Sequence, residues 1–161
     1  MSFQTQVRTD MAGGIVGELY NSGPTRAKAM TVDSDGVANT VGHAFTYTSD
    51  TVAAAGGANA FAGILFNPKG LSSSGVTNPL DATLSVPDGT TGCELLTFGA
   101  LVVNVTVFQS GAIGDGVFFV DATGALGSGT ASAGQTQIAG AVISDKTIAG
   151  VGLAVITLTG A

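Results

Sequence analysis

The chain has 161 residues, enough for one domain that buries about two thirds of its unfolded surface. Charged residues make up 10% of it, against about 25% in ordinary soluble domains, and the mean hydropathy is positive. Five basic residues against eleven acidic ones leave a net charge of −6, which argues against nucleic acid as a partner and offers no polybasic run to an anionic membrane.

So weakly charged an exterior suits a surface buried against other subunits, because charge is what keeps free monomers apart. Residues 95–108 form the most apolar run, but Thr97, Gly99, Asn104 and Thr106 interrupt it and it is too short for a spanning helix. The first twenty residues lack the basic start and apolar stretch of a secretory signal. Cys93 is the single cysteine, so no internal disulfide can form, and a reducing compartment is the simple expectation.

Residues 1–12 are polar with isolated apolar positions and read as an extended arm, ahead of a single β domain over 13–161. Gly13 to Tyr20 reads as a short strand leading to an Asn21-Ser22-Gly23-Pro24 turn. Arg26 to Val32 alternates weakly and is expected at a sheet edge, where a lysine discourages unwanted pairing. After the Asp33-Ser34-Asp35-Gly36 turn, Val37 to Ser49 leads into a strand with Phe45 and Tyr47 on one side and Thr46 and Thr48 on the other. Residues 50–60 read as a loop of small residues, and Phe61 to Phe66 as an apolar strand stopped by Asn67-Pro68. Residues 69–92, with Pro79 and Pro87, read as a long excursion holding at most a short strand at Thr83 to Val86.

The organising stretch is Leu95 to Leu126. In it Leu101, Val103, Val105 and Val107 share the face of Gly99, and Asn104 and Thr106 mark the other. Val117 to Val120 has no polar face, so it should be covered on both sides. Asp121-Ala122-Thr123-Gly124 supplies turn chemistry, and Gly127 to Gln135 reads as a loop. Strands follow at Thr136 to Ser144 and Val151 to Thr159, with Ala154, Ile156 and Leu158 on one face. With no capped amphipathic helix anywhere, the fold class is all-β, a small antiparallel β-barrel or β-sandwich. An internal echo supports two similar hairpin units: Phe61-Ala62-Gly63-Ile64-Leu65 with Lys69 matches Ile138-Ala139-Gly140-Ala141-Val142 with Lys146.

Chemistry-bearing residues are few. His43 is the only histidine, so acid/base or nucleophilic schemes must run through it, and no nucleophile elbow accompanies it. Cys93 has no clear basic neighbour and reads as a buried thiol. Asp33-x-Asp35-Gly36 resembles the start of a calcium loop, yet position twelve is Ala44 where a bidentate Glu is needed, so a plain turn is expected and no metal. Gly13-Gly14-Ile15-Val16-Gly17 lacks the βαβ setting of a nucleotide site, and the Asn104-Val105-Thr106 sequon lies in an apolar strand without a signal peptide. These readings leave no catalytic residue, cofactor or metal. A glycan-binding or fibre-tip module is the alternative, opposed by the absence of Trp and the presence of only two Tyr.

Several segments carry a resemblance. GAIGDGVFFVDATGAL (Gly111 to Leu126), IAGAVISDKTIAG (Ile138 to Gly150), GLAVITLTG (Gly152 to Gly160), GELYNSGP (Gly17 to Pro24) and FAGI (Phe61 to Ile64) together resemble the capsid cement or decoration proteins of tailed bacteriophages. The resemblance implies a small β fold that trimerises on the outside of the phage head and bridges capsomers, made in the host cytoplasm, with the major capsid protein and itself as partners. It implies no catalysis. On that reading the arm lies along a neighbouring capsid protein, with Phe3, Val7, Arg8 and Met11 as its candidate contacts. The 69–92 excursion has no counterpart in the resemblance.

Overall fold

The computed structural model describes residues 16–20, 23–66, 84–145 and 149–160. Among these residues eleven strands follow in order: β1 Arg26–Val32, β2 Asn39–Thr40, β3 Ala44–Tyr47, β4 Val52–Ala55, β5 Phe61–Leu65, β6 Ser85–Val86, β7 Thr90–Phe108, β8 Gly116–Val120, β9 Leu126–Ser128, β10 Gln135–Ile143 and β11 Gly152–Leu158. No helix occurs among the described residues, and the fold is all-β with a closed, barrel-like sheet.

The hydrogen-bonded ladders close twice. One circuit runs β1, β4, β3, β5 and the first half of β7, which pairs back to β1. The other runs from the second half of β7 through β9, β8, β10 and β11 back to β7. The 19-residue β7 therefore serves both. Its pairing with β1 slips between Arg26 opposite Phe98 and Ala27 opposite Leu96, so Thr97 is an extra residue. That bulge turns the strand's inward face over. Cys93 and Leu95 belong to one core, whereas Leu96, Leu101, Val103 and Val105 belong to the other.

The circuits are equivalent strand for strand, and the pairing directions agree. β1 with β4 and β7 with β9 are parallel, and every other neighbouring pair is antiparallel. The sequence echo falls on the equivalent strands β5 and β10, and its glycines, Gly63 and Gly140, both have positive φ beside a register shift.

Each circuit fills with its own alternating set. Met30, Val32, Phe45, Ala53, Ala55, Ala62, Cys93 and Leu95 close the first, with Val41 and Val86. The second holds Val103, Val105, Val117, Phe119, Leu126, Ile138, Ile143, Ile156 and Leu158, and this core also takes in Ala44, Ile64, Phe66 and Leu96 from the first circuit. Phe61 and Phe119 stack across the junction with centroids 6.4 Å apart. Backbone bonds join the circuits as well: Ala44 N–H donates to Gly124 C=O at 2.8 Å, and Gly57 N–H to Asp121 C=O at 2.7 Å.

Several sequence expectations need correction. β1 is an edge only along Arg26 to Ala29, because Thr31 and Val32 pair with β4 as well as β7. The expected loops at 50–60 and 127–135 contain β4 and part of β9, short strands made largely of small residues, each paired in parallel on one side and antiparallel on the other, and too brief to show a period. The long strand expected to open at Leu95 begins instead at Thr90, since Gly92 and Gly99 both fit within it. Of the 69–92 excursion, Ser85–Val86 pairs with Asn39–Thr40, and residues 67–83 lie outside the described residues.

Candidate assembly surface

His43 is half-buried at the junction, and its Nδ1 lies 3.0 Å from Thr123 C=O, which makes Nδ1 the protonated nitrogen of the neutral ring. Desolvation lowers its pKa, the carbonyl contact opposing this in part. The ring ties the β3 side of one circuit to the β8–β9 turn of the other, which is a structural task. Cys93 is 1% exposed inside the first circuit, and burial pushes its thiol up to about 11. A thiol so protonated and enclosed reacts slowly. Native protein should resist an aromatic disulfide reagent at pH 8 and react promptly once unfolded in urea. Rapid stoichiometric reaction of the native protein would contradict this burial.

The acidic turn is built to hold an anion. Asp35 and Gly36 both take positive φ, and the N–H groups of Ser34 and Gly36 donate to the Asp88 carboxylate at 2.9 and 3.3 Å. Asn39 Nδ2 adds a third bond at 2.7 Å. The Ser34 N–H, then the Asn39 amide and the Gly36 N–H, hold Asp88 below the usual carboxylate range. Donors rather than carboxylates face inward here, the reverse of a calcium loop.

The remaining surface is distinguished by exposed apolar side chains. Register places four of them at the end of the second circuit remote from the junction. Phe108 ends β7, Leu153 lies opposite Asn104 with Val151 just before it, and Ile113 tops the 110–115 corner, where Gly114 N–H donates to Ile143 C=O at 2.8 Å. The corner itself is fixed by Asp115, which accepts from Ala112 N–H at 2.7 Å and from Ser110 Oγ. Val151 is 68% exposed and Ile113 57%, the two most exposed of the large apolar side chains among the described residues. Leu19 and Tyr20 are also exposed, alongside β7. Sequence reasoning missed this rim: Ile113 fell in the expected corner, and Val151 was expected as the first residue of the last strand.

The candidate contacts Phe3, Val7, Arg8 and Met11 lie outside the described residues. Val16 to Tyr20, at the end of the Gly13 to Tyr20 stretch, is held in place. Leu19 bridges Leu101 antiparallel, and Gly17 N–H donates to Val102 C=O at 2.8 Å. Asn104 of the sequon is exposed on the outer face of β7.

The chain was compared with known proteins. No curated protein matches it. Among solved structures, a chain of the capsid of Myoviridae phage XM1 has the same fold, with a TM-score of 0.67 and 17% identity over 99% of this chain and 98% of that one. The profile of the phage structural cement protein family matches residues 3–159. The chain therefore belongs to the structural cement proteins of bacteriophages.

Proposed function

We propose that this protein sits on the outside of a phage head as a homotrimer and stabilises contacts between capsomers of the major capsid protein. The observation that carries the reading is the family match over nearly the whole chain. The surface supports it. A small charged fraction and an apolar rim at Phe108, Ile113, Val151 and Leu153 allow flat faces to be buried with little desolvation of charge. A net charge of −6 is tolerable on the outer face, away from packaged DNA. The function is structural, and many weak copies would raise the temperature or force that the shell withstands.

In this reading residues 1–12 lie along an adjacent capsid protein, adding main-chain hydrogen bonds and anchoring through Phe3, Val7, Arg8 and Met11. Deleting residues 1–12 should weaken binding to heads about a hundredfold, the equivalent of roughly 3 kcal/mol, while leaving the melting temperature of the free protein unchanged. Co-sedimentation with heads that lack the protein measures this. Unchanged affinity would remove the arm's role, and a monomeric mass in dilute solution would remove the trimer.

A further inference from the structure

The two equivalent circuits differ at the leading strand. In each, the leading strand is paired in parallel only toward its C-terminal end, β7 with β9 at Val105 to Phe108 and β1 with β4 at Thr31 and Val32. Ahead of that pairing, the same side of β7 is covered by an extended piece of the chain itself. Gly17 N–H donates to Val102 C=O, Val102 N–H to Glu18 C=O at 2.9 Å, and Tyr20 N–H to Ala100 C=O at 3.0 Å. The corresponding side of β1 carries no strand among the described residues, and Arg26, Ala27, Lys28 and Ala29 are all exposed.

The polar groups of that edge can be assigned by alternation. Thr31 N–H donates to Thr51 C=O at 2.9 Å and Asp33 N–H to Ala53 C=O at 3.0 Å, so odd-numbered residues of β1 turn their backbone groups toward β4. Ala27 and Ala29 therefore present N–H and C=O on the open side, with methyl groups that place no obstacle beside them. We propose that this edge accepts an extended acidic segment of another protein, added antiparallel in the way that Val16 to Tyr20 is added to β7.

Charge selects the occupant. Arg26 and Lys28, two of the five basic residues, project from one face of β1. A strand with a carboxylate at every second position sets those carboxylates opposite them. Among the described residues Lys28 Nζ meets the Tyr47 ring at 4.6 Å and the Asp50 carbonyl at 3.5 Å, contacts that a carboxylate can replace. A second copy's identical edge would bring like charges together, and residues 1–12 of another copy, with one Arg and one Asp, carry no net negative charge. The proposal concerns the isolated protein and does not require the capsid reading.

The test is binding of a fluorescein-labelled peptide alternating glutamate and threonine to the isolated full chain, followed by anisotropy and by amide NMR. Saturable binding is expected, weakened by salt, with shifts centred on Ala27 and Ala29. Arg26→Glu with Lys28→Glu should weaken it at least tenfold, and a lysine/threonine peptide should not bind. Ala29→Pro, which removes one edge donor without touching the β7 ladder, should weaken it likewise. Absence of saturable binding, equal binding of the lysine peptide, or indifference to the charge reversal would overturn the proposal. So would tighter binding of a peptide of residues 1–12, which would give the edge to a second copy.

Discussion

Gly124→Ala is expected to destabilise the protein by about 3 kcal/mol or more, combining about 1–2 for a side chain held in the left-handed region with about 1–3 for a forced contact. Gly124 has φ 73°, and a Cβ there would lie 2.3 Å from Ala44 C=O and 2.8 Å from Gly56 N. Gly56, at φ 70°, is its counterpart, since a Cβ on it would lie 2.4 Å from Asp121 C=O. These are backbone atoms, so no flexible side chain can move aside. The junction must open instead, and with it go the bonds from Ala44 to Gly124 and from Gly57 to Asp121. Gly134→Ala is the control. It shares the positive φ, at 76°, but has nothing within 4 Å of the added atom, so its loss should stay near 1 kcal/mol. Urea unfolding of the three proteins measures the difference, and equal losses at Gly124 and Gly134 would mean that the circuits are not docked in this way.

Phe119→Ala should cost about 3–5 kcal/mol, the upper range for emptying an aromatic site in a core that cannot collapse. Phe119 is fully buried, and its strand is laddered to β9 on one side and β10 on the other, so the backbone around the cavity is fixed. Its ring meets Phe61 of the first circuit, so the loss reaches both. Because the second core includes Ala44, Ile64, Phe66 and Leu96, the two circuits are expected to unfold as one cooperative unit. Hydrogen exchange in the variant should therefore accelerate together in β3, β5, β8 and β10. Acceleration confined to β8 to β11 would show that the first circuit stands alone.

Much of the architecture was legible in the chain, and the failures share a cause. Leu101, Val103 and Val105, and again Ala154, Ile156 and Leu158, announced their inward faces because long strands give the two-residue period room to repeat. Val117 to Val120 announced burial by having no polar face, and Val117, Phe118 and Phe119 are buried while Val120, at the end of the strand, is half-buried. The two strands that were missed, Val52–Ala55 and Leu126–Ser128, occupy equivalent places in the two circuits. Each is short, made largely of small residues and held between a parallel and an antiparallel neighbour, so local sequence carries little of the information that fixes it. Closure through a shared strand was not legible, because Gly99 reads as an interruption until the Thr97 bulge shows why it is tolerated. The candidate site was less legible still. A rim of Phe108, Ile113, Val151 and Leu153 exists only once register brings the ends of three strands together.

The most direct test of the central claim is cryo-electron microscopy of heads that lack this protein, before and after it is added back, with the temperature of genome release followed on the same samples. The account predicts density on the outer surface, bridging neighbouring capsomers, and a higher release temperature. Heads that remain bare, or that gain density without any change in release temperature, would contradict it.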